Sequence, residues 1–367
     1  MKKTYDERQT LFSRVRLEKG TVPYDTFYKT HPEYREKDDA VRGFSMRMLY
    51  DAIKAEPDIK AKVLPLFENI ETFIDHYHDL EAKTPVNTVR TKLPNMFKEN
   101  LSHLLKSFGA PEMGIVTLKE SHFYKAFGRH TKAHGPEETY GTPIRNDFKT
   151  AIVFIVPMDM TYIRRAPDIE EMIETLSAYQ KVAEIGARTS LYLRKLGYDA
   201  RFESVAYATV PLVPLAYDAG LGDIGMTNHL VNKTYGNAIR LGAVLTDLTL
   251  PADHPVDFGL ELFCDRCALC LINCPMQSIK HKKRMVNGRR FYHFDEHSCF
   301  KLWKNTGTDC GVCLQSCPFS YQIDPKTVDW MKNDREKIDA VIKTHIETHG
   351  RRPRIKTPLP VVKGASR

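Results

Sequence analysis

The sequence predicts an α+β protein in which a mixed α/β layer domain is followed by a small domain built around cysteine. Two observations carry this. Strand-like and helix-like patterns intermix between residues 101 and 255: Ala151 to Val156 is a continuous apolar run, and Ile169 to Leu196 is one long helical pattern. All eight cysteines then lie between Cys264 and Cys317, in two runs that each end in Cys-Pro. The 367 residues suffice for two or three domains with cores of their own. The expected divisions are an N-terminal helical wrapping or lid segment (1–100), the α/β domain (101–255), the cysteine domain (256–325) and a C-terminal helix with a basic tail (326–367).

The first hundred residues are polar and patterned as helix, without a chemical motif. One helical stretch is expected after Asp38-Asp39, through Arg47 and Leu49 to Ile53. A second covers Ile59 to Ala82, where Val63, Leu64, Leu66, Ile70, Phe73 and Ile74 recur at helical intervals. Leu101 to Phe108 reads as a helix stopped by Gly109, and Gly114 to Leu118 as a short strand. Residues 120–148 are rich in His, Gly and Pro and read as a surface loop. Its His122, His130 and His134 lack metal spacing and are expected to be solvated. Ala151 to Val156, bounded by charge and proline, is a buried strand. The long helix ends at Gly197. Arg201 to Ala208 and Arg240 to Thr246 are further strands, the second leading into the cysteine domain through Pro251 and Pro255.

The cysteine runs are C-x2-C-x2-C-x3-C-P (Cys264, Cys267, Cys270, Cys274, Pro275) and C-x10-C-x2-C-x3-C-P (Cys299, Cys310, Cys313, Cys317, Pro318). The first has the spacing of a bacterial two-cluster ferredoxin, in which the fourth Cys of each run ligates the other run's cluster. Three thiolates on a tight loop hold three irons of a cubane, and the fourth points towards the second cubane. One [4Fe–4S] cluster is therefore assigned to Cys264, Cys267, Cys270 and Cys317, the other to Cys299, Cys310, Cys313 and Cys274. A disulfide framework belongs to short secreted chains. Structural zinc suits C-x2-C pairs but not the triple run.

Hydrophobic residues make up 42% and charged residues 27% of the chain, within the range of a soluble globular protein. The longest apolar run, around Ala151 to Met158, is too short to span a bilayer. No apolar segment follows Lys2 and Lys3, so no signal peptide is expected. Clusters also require reduced thiols, and a cytoplasmic location is the expectation. The net charge is +8, and basic residues gather at the end, from Arg351 to Arg367, with no acid after Glu347. That tail reads first as a solvated segment, with contact to an acidic redox partner or to nucleic acid as alternatives.

Gly220, Gly222 and Gly225 form G-x-G-x-x-G, but the stretch before them looks helical and Arg240 stands where a dinucleotide site needs an acid. The turn either approaches another flat ligand or is purely structural.

The stretches AGLGDIGM (Ala219 to Met226), RLGAVLTDLTL (Arg240 to Leu250) and PVDFGLELFCDRCALCLINCP (Pro255 to Pro275) resemble the cobalamin-dependent reductive dehalogenases. Epoxyqueuosine reductases are more distant relatives. GAPEMGIV, AIVFIVPMDM, LGYDA, DERQTLFSR and YKTHPEYREKDDAVR are also similar, so the resemblance covers roughly residues 5 to 320. It implies a nitroreductase-like corrinoid-binding domain fed by the two-cluster domain, with cobalamin bound base-off. In agreement, no D-x-H-x-x-G signature is present; Asp295-Glu-His297 comes near, but Phe300 replaces the glycine. The corrinoid is expected against Gly220, Leu221, Gly222, Gly225, Met226, Leu241 and Gly242. The resemblance further implies a proton-donating tyrosine at Tyr179 and an assisting basic residue at Arg240, which would ease proton release and steady a departing halide. Where respiratory members carry Asn, Tyr207 stands here, a candidate second donor. Glu203-Ser204 faintly echoes the Asp-Ser step of the epoxyqueuosine enzymes.

The expected function is a corrinoid and iron–sulfur reductase acting on a small, halogenated substrate, with electrons from an external ferredoxin or flavodoxin. Epoxide removal from a modified tRNA base is the alternative on the same scaffold, and the basic tail would suit it. A non-enzymatic electron carrier is the alternative of another class.

Overall fold

The computed structural model describes residues 5–43, 50, 53, 55, 57–129, 140–144, 146–204 and 208–362. At its centre is an antiparallel sheet of four strands, β1 (Met113–Thr117), β2 (Thr150–Pro157), β3 (Ala200–Glu203) and, later in the chain, Ile239–Thr246. Two two-residue strands, β4 (Asp223–Ile224) and β5 (Leu230–Val231), pair with each other, so the Ile239–Thr246 strand is β6. The sheet order is β1-β2-β6-β3. The continuous apolar run of β2 places it in the middle, buried on both faces from Ala151 to Val156.

Alternation along the strands sends side chains to two layers. Ile152, Phe154 and Val244 meet the long helix Ile169–Lys195 through Ala178, Val182 and Ile185. Val153, Ile155, Leu241 and Ala243 face the short helix Leu212–Asp218 through Leu215 and Ala216. Each fully buried side chain of this size stabilises the fold by about 1.5–3 kcal/mol. Two glycines set the closeness of the first layer. A Cβ on Gly242 would meet the Phe154 ring at 2.5 Å, and one on Gly186 would meet Phe202 at 2.9 Å.

The helix expected at Ile59 to Ala82 runs Pro57–Lys83, with Pro65 inside it. Its Val63, Phe67 and Ile70 pack on Met172, Ile173 and Leu176 of the long helix. Further along, Glu81 accepts the Phe202 N–H of β3 at 2.8 Å, and His78 stacks on the Phe202 ring. Asp38 and Asp39 do not precede a helix but lie within one, Pro32–Val41; most of the stretch from Arg47 to Ile53 lies outside the described residues. The reason is electrostatic. Asp38 is fully buried, where it takes the Arg14 guanidinium at 2.8 Å, the Tyr28 hydroxyl and His297 Nε2 at 2.7 Å. Arg14 also reaches Glu296. The N-terminal segment is thereby tied to the cysteine domain. His297 is accounted for by that hydrogen bond.

The cysteine domain consists of short helices (Leu260–Cys267, Leu269–Asn273, Glu296–Thr306, Val312–Gln315) and a hairpin of β7 (Ile279–Val286) and β8 (Arg289–Phe294). The C-terminal helix Arg335–His349 packs Ile338 into a cluster with Phe258, Phe263 and Phe319. Among the described residues no helix is long and apolar enough to cross a membrane.

Candidate redox and catalytic site

Left-handed backbone at Ala268 (φ 50°), Cys310 (φ 73°) and Gly311 (φ 60°) folds each cysteine run into tight turns that converge the thiols. Cys264, Cys267 and Cys270 line one cavity together with Cys317, which arrives from the second run. Cys299 lies within electrostatic reach of Cys274, and Cys313 of both. Cys310 in turn lies within reach of Cys313 and Cys299, and Cys313 also of Cys270, so the two runs of thiols adjoin. Among the described residues no three Cys, His, Asp or Glu side chains close in to the separation of a single metal ion. A donor set made only of thiols, with a triple C-x2-C-x2-C run, suits a cubane better than a zinc ion. Burial pushes Cys264 up to about 11 and Cys267 up to about 12. Thiolates there need a cationic group such as iron to be stable.

Beside the second group of thiols lies a polar cluster. Glu171, Thr175 and Tyr179 succeed one another at four-residue intervals on the long helix, hence on one face. Arg240, at the start of β6, lies under them. Its Nη2 donates to Thr175 Oγ1 at 2.8 Å and pairs with Asp309 at 3.3 Å, and its guanidinium carbon is 5.0 Å from the Tyr179 ring centre. Glu171 accepts the Thr175 hydroxyl at 3.1 Å. Glu171 Oε2 and Asp309 Oδ1 are buried with no ordinary donor. Burial, then the nearby Asp309 charge, drives Glu171 well above the carboxylate range.

Tyr179 and Arg240 are walled by protein on every side yet keep accessible surface, as does His229. Arg240 Nε is buried without a partner, and among the described residues the Tyr179 hydroxyl has none either. Burial raises the Tyr179 phenol above its ordinary value, and this outweighs the lowering by Arg240. Burial thus opposes the easing of proton release expected from Arg240, and at neutral pH Tyr179 holds its proton. His229, driven down to about 4 by burial, is a neutral imidazole, with Nδ1 3.0 Å from the Thr227 hydroxyl.

The expected ligand-approach glycines behave differently. A Cβ on Gly220 would meet the His254 carbonyl at 2.5 Å, and one on Gly222 the Val231 carbonyl. With Gly242 against Phe154, these positions are filled by protein, because small residues are needed for chain-to-chain packing. Leu221 is buried in the core, and Leu241 points to the opposite face of β6 from Arg240. Gly225 and Met226 remain near the site: a Cβ on Gly225 would lie 3.7 Å from Cys264 Sγ, and Met226 packs with Cys264, Cys270, Cys274 and Cys313. Tyr207, His130 and His134 lie outside the described residues. His122 is not solvated; it is buried and bonded to Asp218 at 3.1 Å. Glu203 is fully engaged by Arg201 and Thr209. Sequence reading missed Glu171, Thr175, Asp309 and His229. Polar residues at i, i+4 and i+8 before an apolar helix were the available signal for the first two.

A family profile described as a 4Fe-4S dicluster domain matches residues 263–321. The tetrachloroethene reductive dehalogenase of Dehalobacter restrictus (strain DSM 9455 / PER-K23) is 31% identical over 184 residues, 47% of this chain and 33% of that protein. That of Sulfurospirillum multivorans is 28% identical over 191 residues, 48% of this chain and 36% of that protein. The chain spans about a third of the length of these curated relatives. Among solved structures, a catabolic reductive dehalogenase in complex with 3-bromo-4-hydroxybenzoic acid superposes with a TM-score of 0.68 at 23% identity, covering 83% of this chain and 45% of that one. The fold expected from the resemblance is therefore present: a mixed α/β body carrying a two-cluster ferredoxin-like domain.

Proposed function

We propose that this relative of the reductive dehalogenases is a corrinoid- and iron–sulfur-dependent reductase that replaces a carbon–halogen bond by carbon–hydrogen in a small organohalide. The observation that carries the reading is the enclosed Tyr179 phenol, protonated and without a hydrogen-bond partner among the described residues, set over Arg240 beside the thiols of the second run. The overall change is R–X + 2e⁻ + H⁺ → R–H + X⁻. The electrons would enter through clusters held by Cys264, Cys267, Cys270 and Cys317 and by Cys299, Cys310, Cys313 and Cys274.

A corrinoid would lie beside this cluster, where Arg240 Nε is buried without a partner and His229 is a neutral imidazole. Gly225, Met226 and Thr227, with His229, would border it. When bound, the corrinoid supplies low-potential cobalt for two-electron reduction of the carbon–halogen bond. The chain's own residues do the rest. Tyr179 holds the proton that ends on carbon. Arg240, oriented by Thr175 and Asp309, offers its free Nε to negative charge developing on the halide or on the phenol oxygen. Asp309 is the carboxylate that pairs with Arg240, while burial keeps Glu171 protonated beside it. Removal of oxygen from epoxyqueuosine is less well supported, since Glu203 is spent on Arg201 and Thr209.

Anaerobic reconstitution tests the reading. About eight irons and one base-off cobalamin per chain are expected, with halide released from members of a haloaromatic panel. A protein that takes up iron but refuses every corrinoid would sink the proposal, and turnover of epoxyqueuosine tRNA alone would redirect it.

A further inference from the structure

Between the two cysteine runs the chain inserts the β7–β8 hairpin, closed by Asn287 and Gly288, both at positive φ. From Ile279 to Phe294 it contains Lys280, Lys282, Lys283, Arg284, Arg289 and Arg290 and not one acid. Its two sides differ sharply. Ile279 and Tyr292 are buried against Met226 and Leu271 in a cluster with Cys264, Cys270, Cys274 and Cys313. The Tyr292 hydroxyl donates to the Cys264 carbonyl at 3.2 Å. Lys280 to Val286, in contrast, are all exposed.

The nearby acids are already taken. Asp223 pairs with Arg289, Glu261 with Arg290, and Asp265 with Lys283 and Arg290. Among the described residues Lys282 and Arg284 have no ion-pair partner. The positive surface also continues sideways: Asn273, next to Cys274, donates to the Arg351 carbonyl at 2.8 Å, which brings the exposed Arg351 and Arg352 alongside.

We propose that this hairpin is the docking surface for a small acidic one-electron carrier protein that reduces the cluster beneath it. The inference rests on the electron-transfer reading above and specifies where electrons enter. Electron transfer falls steeply with distance, so a donor must dock over a cluster, and through Tyr292 the hairpin covers Cys264, Cys267 and Cys270 of the first run. Charge complementarity selects the partner: an uncompensated cationic surface steers an anionic protein and holds it at the rim without deep burial. A nucleic acid or an anionic membrane would answer the charge but exchanges no electrons with a cluster. In each encounter the carrier loses one electron and the cluster gains one; two encounters supply the pair that, with one proton, converts R–X to R–H and X⁻.

The test uses the reconstituted protein and an acidic flavodoxin in its fully reduced form, with bleaching of the cluster absorbance as readout. Lys282→Glu/Arg284→Glu should raise the KM for flavodoxin on the order of tenfold, with the rate at saturation kept. Reduction by titanium(III) citrate, which needs no docking, should be unchanged. Raising the salt to 0.5 M should erase most of the difference between wild type and variant, because the Debye length shrinks to a few Å. Should the reversed variant lose iron, Lys282→Gln/Arg284→Gln carries the same comparison with a smaller shift. An unchanged KM overturns the proposal. So does an equal loss of reduction by titanium(III) citrate, or a dependence of tRNA or anionic-vesicle binding on Lys282 and Arg284 with flavodoxin unaffected. Bleaching is independent of halide release, so a protein that bleaches normally and dehalogenates nothing would refute the proposed reaction and leave the docking surface standing.

Discussion

Replacing Glu81 by Gln should abolish a pH dependence that the wild-type fold carries at β3. Glu81 is 5% exposed on the helix Pro57–Lys83, where it accepts the Phe202 N–H. Burial raises its carboxyl from 4.5 to about 7, despite lowering contributions from Ser190, Phe202 and Arg194. The folded state therefore binds this proton more tightly than the unfolded chain. Its contribution is fully present below the unfolded value and is lost as pH rises through the folded one. Over that window a shift of this size amounts to about 3 kcal/mol, on the order of a hundredfold in an opening equilibrium. Native-state hydrogen exchange at Phe202, corrected for intrinsic rates between pH 4.5 and 7.5, reads that opening directly. Wild type should open more readily as pH rises; Glu81→Gln should lack that part of the slope. Glu203, whose carboxyl burial also raises, contributes equally to both proteins and cancels in the difference. Identical slopes in the two proteins would refute the reasoning.

Three further outcomes are expected. Tyr179→Phe should retain iron and corrinoid while turnover falls by about 10²–10⁴, the usual worth of a positioned acid; full activity would remove Tyr179 as the donor. Thr175→Val deletes the 2.8 Å bond that orients Arg240 and should cut turnover on the order of tenfold with the cluster spectrum unchanged; an unaltered rate would mean that Asp309 alone holds the guanidinium. Gly186→Ala places a methyl 2.9 Å from Phe202 and should cost about 1–3 kcal/mol in denaturant unfolding, and a neutral result would show that the helix can shift away from β3.

The two halves of the chain differed in legibility for physical reasons. Cysteine chemistry leaves its mark in spacing, since the ligand geometry of a cubane constrains positions a few residues apart. The central strand was equally plain, because burial on both faces demands a continuous apolar run. Charge inside the fold was harder to see. Asp38-Asp39 reads as a helix start, yet Asp38 is buried because Arg14 and His297 reach it from 24 and 259 residues away. The same holds for Asp309, which looks like a loop acid until the fold brings it to Glu171. The glycines near residue 220 carried a motif without its context. A missing Cβ admits a carbonyl as readily as it admits a ligand, and the sequence does not say which.

The buried Arg14 has a consequence for how the protein comes to be made. Its partner Glu296 lies 282 residues downstream. On a ribosome adding about 5–20 residues per second, Arg14 and Asp38 leave the exit tunnel roughly 15 to 60 seconds before that carboxylate exists. During synthesis the amino-terminal strap must wait with its cation only half paired, and it can lock down only after the helix that carries Cys299 has been translated. Residues translated early are thus among the last to settle, and their closure reports that the iron-binding segment has arrived.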